Sequence, residues 1–314
     1  KIAIIPLPLK RYFLKTSLSI MTFLGVILFK RIIKDGFYPD IIHAHYLFNM
    51  PIALKIKEKY DIPVIATEHW SLISKDSSRK DIVTLAKKYY PRVDKLISVS
   101  KSLCFSIKNI SGCNSLVIPN IVDTSCFVYK DQNTLKSDFI FVSVGNLITR
   151  KGFDILIKSF SKANFDKNVY LYIVGIGPEY NCLRKLINKL DVQDQVFLLG
   201  RKTREEINNI FEKSQVFVLP SHFETFGVVY IEALASGLPV IATSCGGPEL
   251  FISKDDGLIV PVNDIDALTS SLKYMKQHRN LYDSKQIAKR CVSTFSPDVI
   301  GKEIDTVYAT VYLK

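Results

Sequence analysis

Short runs of β-branched and aromatic residues recur along this chain at the spacing of strand, helix, strand, and they do so in two series. Residues 2–6, 41–44, 64–67, 95–99 and 116–119 are the expected strands of the first series, and 139–145, 170–175, 195–199, 216–219 and 240–243 those of the second. Runs such as Val216-Phe217-Val218-Leu219 lack polar alternation. Both of their faces must therefore be covered, and the helical stretches between the runs are what can cover them. The pattern predicts an α/β protein with two parallel sheets, each carrying helices on both faces. Ligands of such sheets sit outside the strand C-termini, so functional residues are to be sought just after the runs.

A chain of 314 residues can hold two such units. The expected organisation is a first domain over 1–126, a polar linker at 127–136, a second domain over 137–294, and a final helix over 295–314 that begins after Phe295-Ser296-Pro297 and crosses back to the first domain. No fixed-period repeat or low-complexity tract interrupts this plan. The six cysteines are scattered without a Cys-x-x-Cys pair, which argues against a zinc site or a disulfide framework and for a reducing cytoplasm. Near the start, the apolar run 18–29 is about a dozen residues, short of the roughly 20 that span a bilayer. It is read as a helix, and it has no small-residue cleavage site of a signal peptide. Charge is unevenly shared. Of the net +12, residues 1–126 carry nearly all, with 19 Lys and Arg against 9 Asp and Glu. Lys10-Arg11, Lys30-Arg31, Lys55/Lys57/Lys59 and Lys87-Lys88 alternate with Tyr12, Phe13, Phe29, Tyr89 and Tyr90. Such a mixture suits an anionic membrane surface or a nucleic acid; no nucleic-acid module is present, so the membrane surface is preferred over solvated helix faces alone.

The segment most informative about chemistry follows the run 216–219. Pro220 ends the strand, a polar loop carries Glu224, and a helix is expected from Gly227 with Glu232 just over one turn inside. The first helical turn offers backbone N–H groups and no acid to occupy them, an arrangement that suits an anionic guest such as phosphate. After the run 139–145 come Asn146, Arg150 and Lys151, cations that lead into a helix near Gly152 and could meet phosphate over the same sheet edge.

Glu224-x-Phe226-Gly227 with Glu232, then Ala-x-Ala-x-Gly-x-Pro-Val-Ile-Ala-Thr and Gly246-Gly247, resembles the signature of glycosyltransferase family 4, retaining enzymes of the GT-B fold. The resemblance extends over most of the chain, through DIIHAHY (40–46), Thr67-Glu68-His69, VIPNIVD (117–123), VSVGNLITRKGFDILI (142–157), YIVGIGPE (172–179) and FLLG (197–200). It implies two Rossmann-like domains with parallel sheets facing a central cleft. The first domain would face the acceptor, and the second would hold a nucleotide-diphosphate sugar of UDP or GDP type. It also implies that Lys151 grips the donor diphosphate, that Asn146 stands where relatives place an arginine with Arg150 as its substitute, and that Glu232 takes the two ribose hydroxyls. A carboxylate with two oxygens can bridge such a diol. Glu224 is implied to lie against the donor sugar, either stabilising an oxocarbenium-like transition state or holding sugar hydroxyls, with Phe226 and Gly227 giving backbone contacts. His69 matches a histidine that lines the cleft near the sugar.

Other signals are weaker. His43 and His45 share one face of their strand, with no third ligand apparent for a metal; His45 is a further cleft candidate, and His222 is assigned to local loop structure. Gly175-x-Gly177 lacks the third glycine of a dinucleotide fingerprint. Asp264-Ile265-Asp266 precedes an apolar helix pattern and is read as an N-cap rather than a metal site, so neither a catalytic metal nor a cofactor is expected. Members of the family open with a strand and a Gly-Gly loop, whereas no glycine here precedes Gly25. A βαβ-sized unit is therefore expected to be missing, as from a piece of a longer protein. The function expected is retaining transfer of a sugar from the nucleotide donor to a sugar or lipid-linked acceptor hydroxyl, in surface polysaccharide or glycolipid assembly, with the enzyme peripheral on the inner face of the cell membrane. A nucleotide-sugar epimerase of the same architecture and a non-catalytic nucleotide-sugar-binding fragment are the alternatives.

Overall fold

The computed structural model describes residues 14–70, 72–73, 79–130 and 138–312. The expected strand at 2–6, the basic and aromatic residues at 10–13 and most of the expected linker lie outside the described residues. Two compact units are formed, one by 1–118 with 303–314 and the other by 119–302.

The first unit runs α1 (Leu14–Lys34), β1 (Ile42–His45), α2 (Met50–Tyr60), β2 (Val64–Glu68), α3 (Lys80–Tyr89), β3 (Lys95–Ser98), α4 (Lys101–Ser111) and β4 (Leu116–Val117). Its strands are parallel and lie in chain order, β1-β2-β3-β4. Strand β2 is buried along its whole length, as its unbroken apolar start requires. Helix α1 is longer than the apolar run 18–29, because Lys30, Arg31 and Lys34 continue the helix to its end. Its stretch Thr16–Lys34 is, by length and mean hydropathy of 1.6, sufficient to cross a membrane.

The second unit runs β5 (Phe139–Val144), α5 (Phe153–Ala163), β6 (Val169–Val174), α6 (Tyr180–Lys189), β7 (Val196–Leu198), α7 (Arg204–Lys213), β8 (Val216–Leu219), α8 (Val228–Ala235), β9 (Val240–Thr243), β10 (Gly257–Val260), α9 (Ile265–His278) and α10 (Ser284–Phe295). The sheet order is β10-β9-β8-β5-β6-β7, all parallel. From β5 the chain builds outward through β6 and β7, then returns to lay β8 against the other side of β5. The order thus reverses between β5 and β8, where Phe141 and Val142 pair with Val216 and Phe217. Strand β10 was not among the expected strands. Its apolar run is short and opens on Gly257, where a Cβ would come 1.9 Å from the Val240 carbonyl oxygen; only the close approach of β9 makes a strand of it.

The units divide elsewhere than at 127–136 and 295. Val122 N–H donates to the Phe295 carbonyl at 2.9 Å, and Phe127 packs on Phe211 with ring centroids 5.9 Å apart. Val122 and Phe127 are therefore buried with the second unit. Helix α11 (Pro297–Tyr312) gives its residues from 303 onward to the first. Periodicity in the sequence lapses near the linker, but side-chain burial decides where a unit ends.

Asp264 caps α9: its carboxylate accepts from the Ala267 N–H at 2.8 Å, while Asp266 pairs with Lys162. Replacing a capping Asp by Ala typically costs about 1 kcal/mol. Asp264→Ala is expected to destabilise the second unit by about that much, seen as a lower midpoint in thermal denaturation that does not respond to added divalent cation.

Candidate functional site

In the second unit the loops after β5, β6, β8 and β9 emerge at the same, C-terminal edge of the sheet, and two of them leave from the strands where the order reverses. The loop after β5 passes Asn146, exposed, then a 3-10 turn of Thr149–Lys151 that ends at Gly152. Gly152 has φ +68°, and a Cβ there would come 2.2 Å from the Pro220 carbonyl oxygen. Two backbones thus touch at that point, which a side chain would prevent. The contact is sealed by His222 N–H donating to the Arg150 carbonyl at 2.8 Å, and Arg150 Nη1 reaches the Phe223 carbonyl at 3.4 Å. His222 joins this contact through its backbone N–H alone; its ring Nε2 is buried with no hydrogen-bond partner among the described residues.

This close approach brings Lys151 and Glu224 together across 73 positions of sequence. Lys151 Nζ donates to Glu224 Oε1 at 2.5 Å, and Ser221 Oγ donates to the same oxygen at 2.7 Å. Both side chains are largely out of water, 13% and 8% exposed. A buried pair of this kind is held by mutual need: removal of one partner strands the other charge at a cost of about 3–5 kcal/mol. Glu224 is anchored further by its own N–H, which donates to the Cys245 carbonyl at 3.2 Å.

Gly227, at φ +92°, opens α8, whose first turn contains no acid and whose N-terminus no side chain caps. Phe226 faces away, into a cluster with Phe251 and Phe295 at centroid distances of 4.9 and 5.7 Å, so only its backbone is presented. Gly247 lies against that backbone, since a Cβ on it would come 2.7 Å from the Phe226 carbonyl oxygen. Glu232 is one turn into α8; burial pushes its pKa up, Arg204 opposes the shift and Asp123 adds to it. Arg204 and Asp123 are themselves paired at 3.2 Å. The turn after β6 completes the edge, with Leu147 N–H donating to the Ile176 carbonyl and Glu179 N–H to the Leu147 carbonyl. Asn146, Arg150, Lys151, Glu224, Phe226 and Gly227 are thus gathered on neighbouring loops of one sheet edge, with Glu232 in the helix that leaves it. Sequence reasoning passed over Glu249. Its Oε1 accepts from the Gly246 N–H at 2.6 Å, while Oε2 is buried with no hydrogen-bond partner among the described residues. The Gly-Gly-Pro-Glu order was the available signal.

His69 belongs to the first unit. Its Nε2 shares a hydrogen bond of 3.0 Å with His45 Nδ1, and the His43 and His45 rings stack at 4.5 Å, as one strand face requires. His43 is held at both nitrogens, by Tyr308 Oη at 2.8 Å and Thr67 Oγ1 at 2.7 Å. Burial, then the neighbouring His45 and His69, push its pKa down to about 4. Glu68, unremarked in the sequence except as a motif letter, is fully buried. It accepts from the N–H groups of His69 and Trp70 on one oxygen, and from Leu47 N–H and Tyr90 Oη on the other, all at 2.9–3.0 Å. It therefore fixes the backbone that carries His69. Among the described residues no group of His, Cys, Asp and Glu is arranged to hold a metal ion.

Two outcomes test this geometry. Gly152→Ala is expected to cost about 2 kcal/mol or more through strain at positive φ and collision with Pro220, measured by thermal unfolding of the second unit. For His43, the unfolded chain binds a proton near pH 6.5 and the folded one only near 4. The stability it contributes is complete above 6.5 and is lost as pH falls towards 4. The first unit's unfolding midpoint should fall over that interval, and less steeply in His43→Gln.

Comparison with known proteins gives the site its context. The model of the glycosyl transferases group 1 family matches residues 128–290, and that of Glycosyltransferase Family 4 matches 2–125. The chain is 25% identical over 289 residues to the N-acetyl-alpha-D-glucosaminyl L-malate synthase of Bacillus anthracis, covering 87% of this chain and 75% of that protein. To an uncharacterized glycosyltransferase of Methanocaldococcus jannaschii it is 31% identical over 238 residues, 74% of this chain and 64% of that one. In fold it is similar to a sucrose-phosphate synthase from Thermosynechococcus elongatus, with TM-score 0.84, 20% identity, and coverage of 96% of this chain and 80% of the other. It is similar also to Anabaena HepE in complex with UDP and glucose, with TM-score 0.75, 17% identity, and coverage of 90% and 81%. With its two parallel-sheet units of GT-B type, the chain belongs to the glycosyl transferases group 1 family, and its first part matches the Glycosyltransferase Family 4 model.

Proposed function

We propose that the protein transfers a sugar from a nucleotide-diphosphate donor to an acceptor hydroxyl with retention at the anomeric carbon, without a metal. The observation that carries this reading is the meeting of Lys151 and Glu224 beside the uncapped N-terminus of α8 at the reversal of strand order. The bond that breaks joins the anomeric carbon to the β-phosphate oxygen. The one that forms joins that carbon to the acceptor oxygen on the same face, and the acceptor's proton passes to the leaving diphosphate. Negative charge grows on the diphosphate as it leaves, and Lys151 with the N–H groups of the first α8 turn is placed to receive it. Glu224 holds Lys151 in position before the donor arrives and lies against the sugar afterwards. Glu232 takes the ribose diol; its raised pKa reflects desolvation that two hydroxyl donors would relieve. In the first unit, Glu68 and His45 hold His69 in place.

UDP complexes among proteins of similar fold support a UDP-type donor, with GDP as the other candidate. Relatives named for colanic acid and amylovoran biosynthesis support a surface polysaccharide or glycolipid as the setting. The basic first 126 residues support an acceptor presented at the inner face of the cell membrane.

Calorimetric titration with UDP, GDP and ADP is expected to show binding of one nucleotide that Lys151→Ala and Glu232→Ala each weaken at least tenfold. With the matching sugar nucleotide, Lys151→Ala should lower kcat by about 100-fold or more, and excess chelator should leave the rate unchanged. Lys151→Met with Glu224→Gln, which removes both charges, separates this loss from misfolding. Release of an epimer from donor alone, or binding without turnover, would replace transfer by epimerisation or by a binding role.

A further inference from the structure

Helix α1 has an apolar side that the described residues of its unit cover only in part. Its inner face is occupied: Val26, Phe29 and Ile33 cluster with Ile52, Ile56, Tyr60 and Ile62, and Gly25 sits so near α2 that a Cβ would come within 2.6 Å of Ile52 Cγ2. On the opposite face, at helical spacing, stand Ile20, Phe23, Leu24 and Ile27, and the same face continues as Lys30, Arg31 and Lys34. Phe23 is 67% exposed and Ile20 45%, with all three cations exposed. A water-facing helix carries polar residues at such positions. Past the helix, Phe37 and Tyr38 are also exposed. With Tyr308 and Tyr312 they border an open hollow of about 500 Å³.

We propose that α1 is an interfacial helix that docks the first unit on an anionic lipid surface. It lies in the membrane plane, with Ile20, Phe23 and Ile27 among the upper acyl carbons and Lys30, Arg31 and Lys34 on the headgroup phosphates. Phe37, Tyr38 and Tyr312 take the headgroup level that aromatic rings prefer. Length alone would let α1 cross a bilayer, but crossing would strip it from α2 and leave Ile52, Ile56 and Ile62 uncovered. The charge pattern selects the occupant. Helix α1 contains no Asp or Glu, so a second copy packed α1 to α1 would set cations against an acid-free surface, whereas lipid phosphates supply the missing counter-charge. Asp35 and Asp40, which follow the helix, offset only part of it. This docking extends the membrane clause of the functional reading and rests on none of the donor chemistry.

The test is sedimentation of the full chain with vesicles of phosphatidylcholine alone or mixed with phosphatidylglycerol, at low and high salt. The wild-type chain is expected to sediment with the mixed vesicles only, and less so in high salt. Ile20→Asp with Phe23→Asp should weaken this at least about tenfold. Independently, Lys30→Gln with Arg31→Gln and Lys34→Gln should weaken it similarly and flatten the salt dependence. UDP titration of the same variants should be unchanged, so failure of the donor reading and failure of docking are seen separately. Docking is overturned if the wild-type chain stays in the supernatant with both vesicles, or if both sets of variants bind as it does. It is equally overturned if light scattering without lipid shows a dimer that Phe23→Asp dissociates, because a second copy would then own the face.

Discussion

The reversal of strand order between β5 and β8 is the constraint on which the second unit's chemistry depends. In a parallel sheet each connection leaves from the C-terminal edge, and where neighbouring strands send their chains in opposite directions the loops part and leave a crevice. Here the parting is limited by one backbone contact, Gly152 against the Pro220 carbonyl. That contact sets the distance between the two loops, and so lets a lysine on one and a glutamate on the other form a buried pair. The uncapped start of α8 and the Gly246-Gly247 loop close in from the β8 and β9 side. Each element supplies something modest, a cation, an acid or a few N–H groups. Their shared edge turns these into a place where an anion can be bound and polarised.

The first unit solves a different problem. Its sheet keeps chain order, so no reversal among the described strands creates a crevice, and the chemistry instead gathers on one strand end. Glu68 is the fixed point. Four donors converge on its carboxylate, and three of them are backbone N–H groups, those of Leu47, His69 and Trp70. Two belong to His69 and Trp70, so satisfying the backbone and placing His69 are the same event. The His43–Thr67 and His43–Tyr308 bonds extend this rigidity to the last helix. A histidine held neutral by burial beside two others also limits the positive charge the cluster can carry.

Much of this was legible in the sequence. Unbroken apolar runs announced the strands of both sheets, and the absence of acids in the first turn after Gly227 announced an anion-friendly helix start. Asp264 followed by an apolar periodic stretch announced a cap. Strand β10 was not legible, because three apolar residues after Gly257 carry no period and become a strand only by pairing with β9. The unit boundaries were obscured for a related reason. Val122 and Phe127 look like loop residues until Phe295 and Phe211 are seen beside them. Glu68 gave no sign of its role, since nothing local distinguishes an acid that will be buried from one that will be solvated. Helix α1 reaches beyond its apolar run 18–29 because helical Lys and Arg carry a good intrinsic propensity, which apolar content does not register.

The amino-acid sequence by itself determined the elements other than β10, their parallel pairing class and the residue types available at each strand end, because these follow from side-chain periodicity and backbone preference over a few neighbouring positions. Tertiary structure alone decided that Lys151 meets Glu224, that Glu68 holds His69, and that one face of α1 is only partly covered among the described residues. Those outcomes depend on which strands become neighbours and which surfaces are buried. The free energy of burial and pairing is a property of groups distant in sequence, which no local pattern encodes.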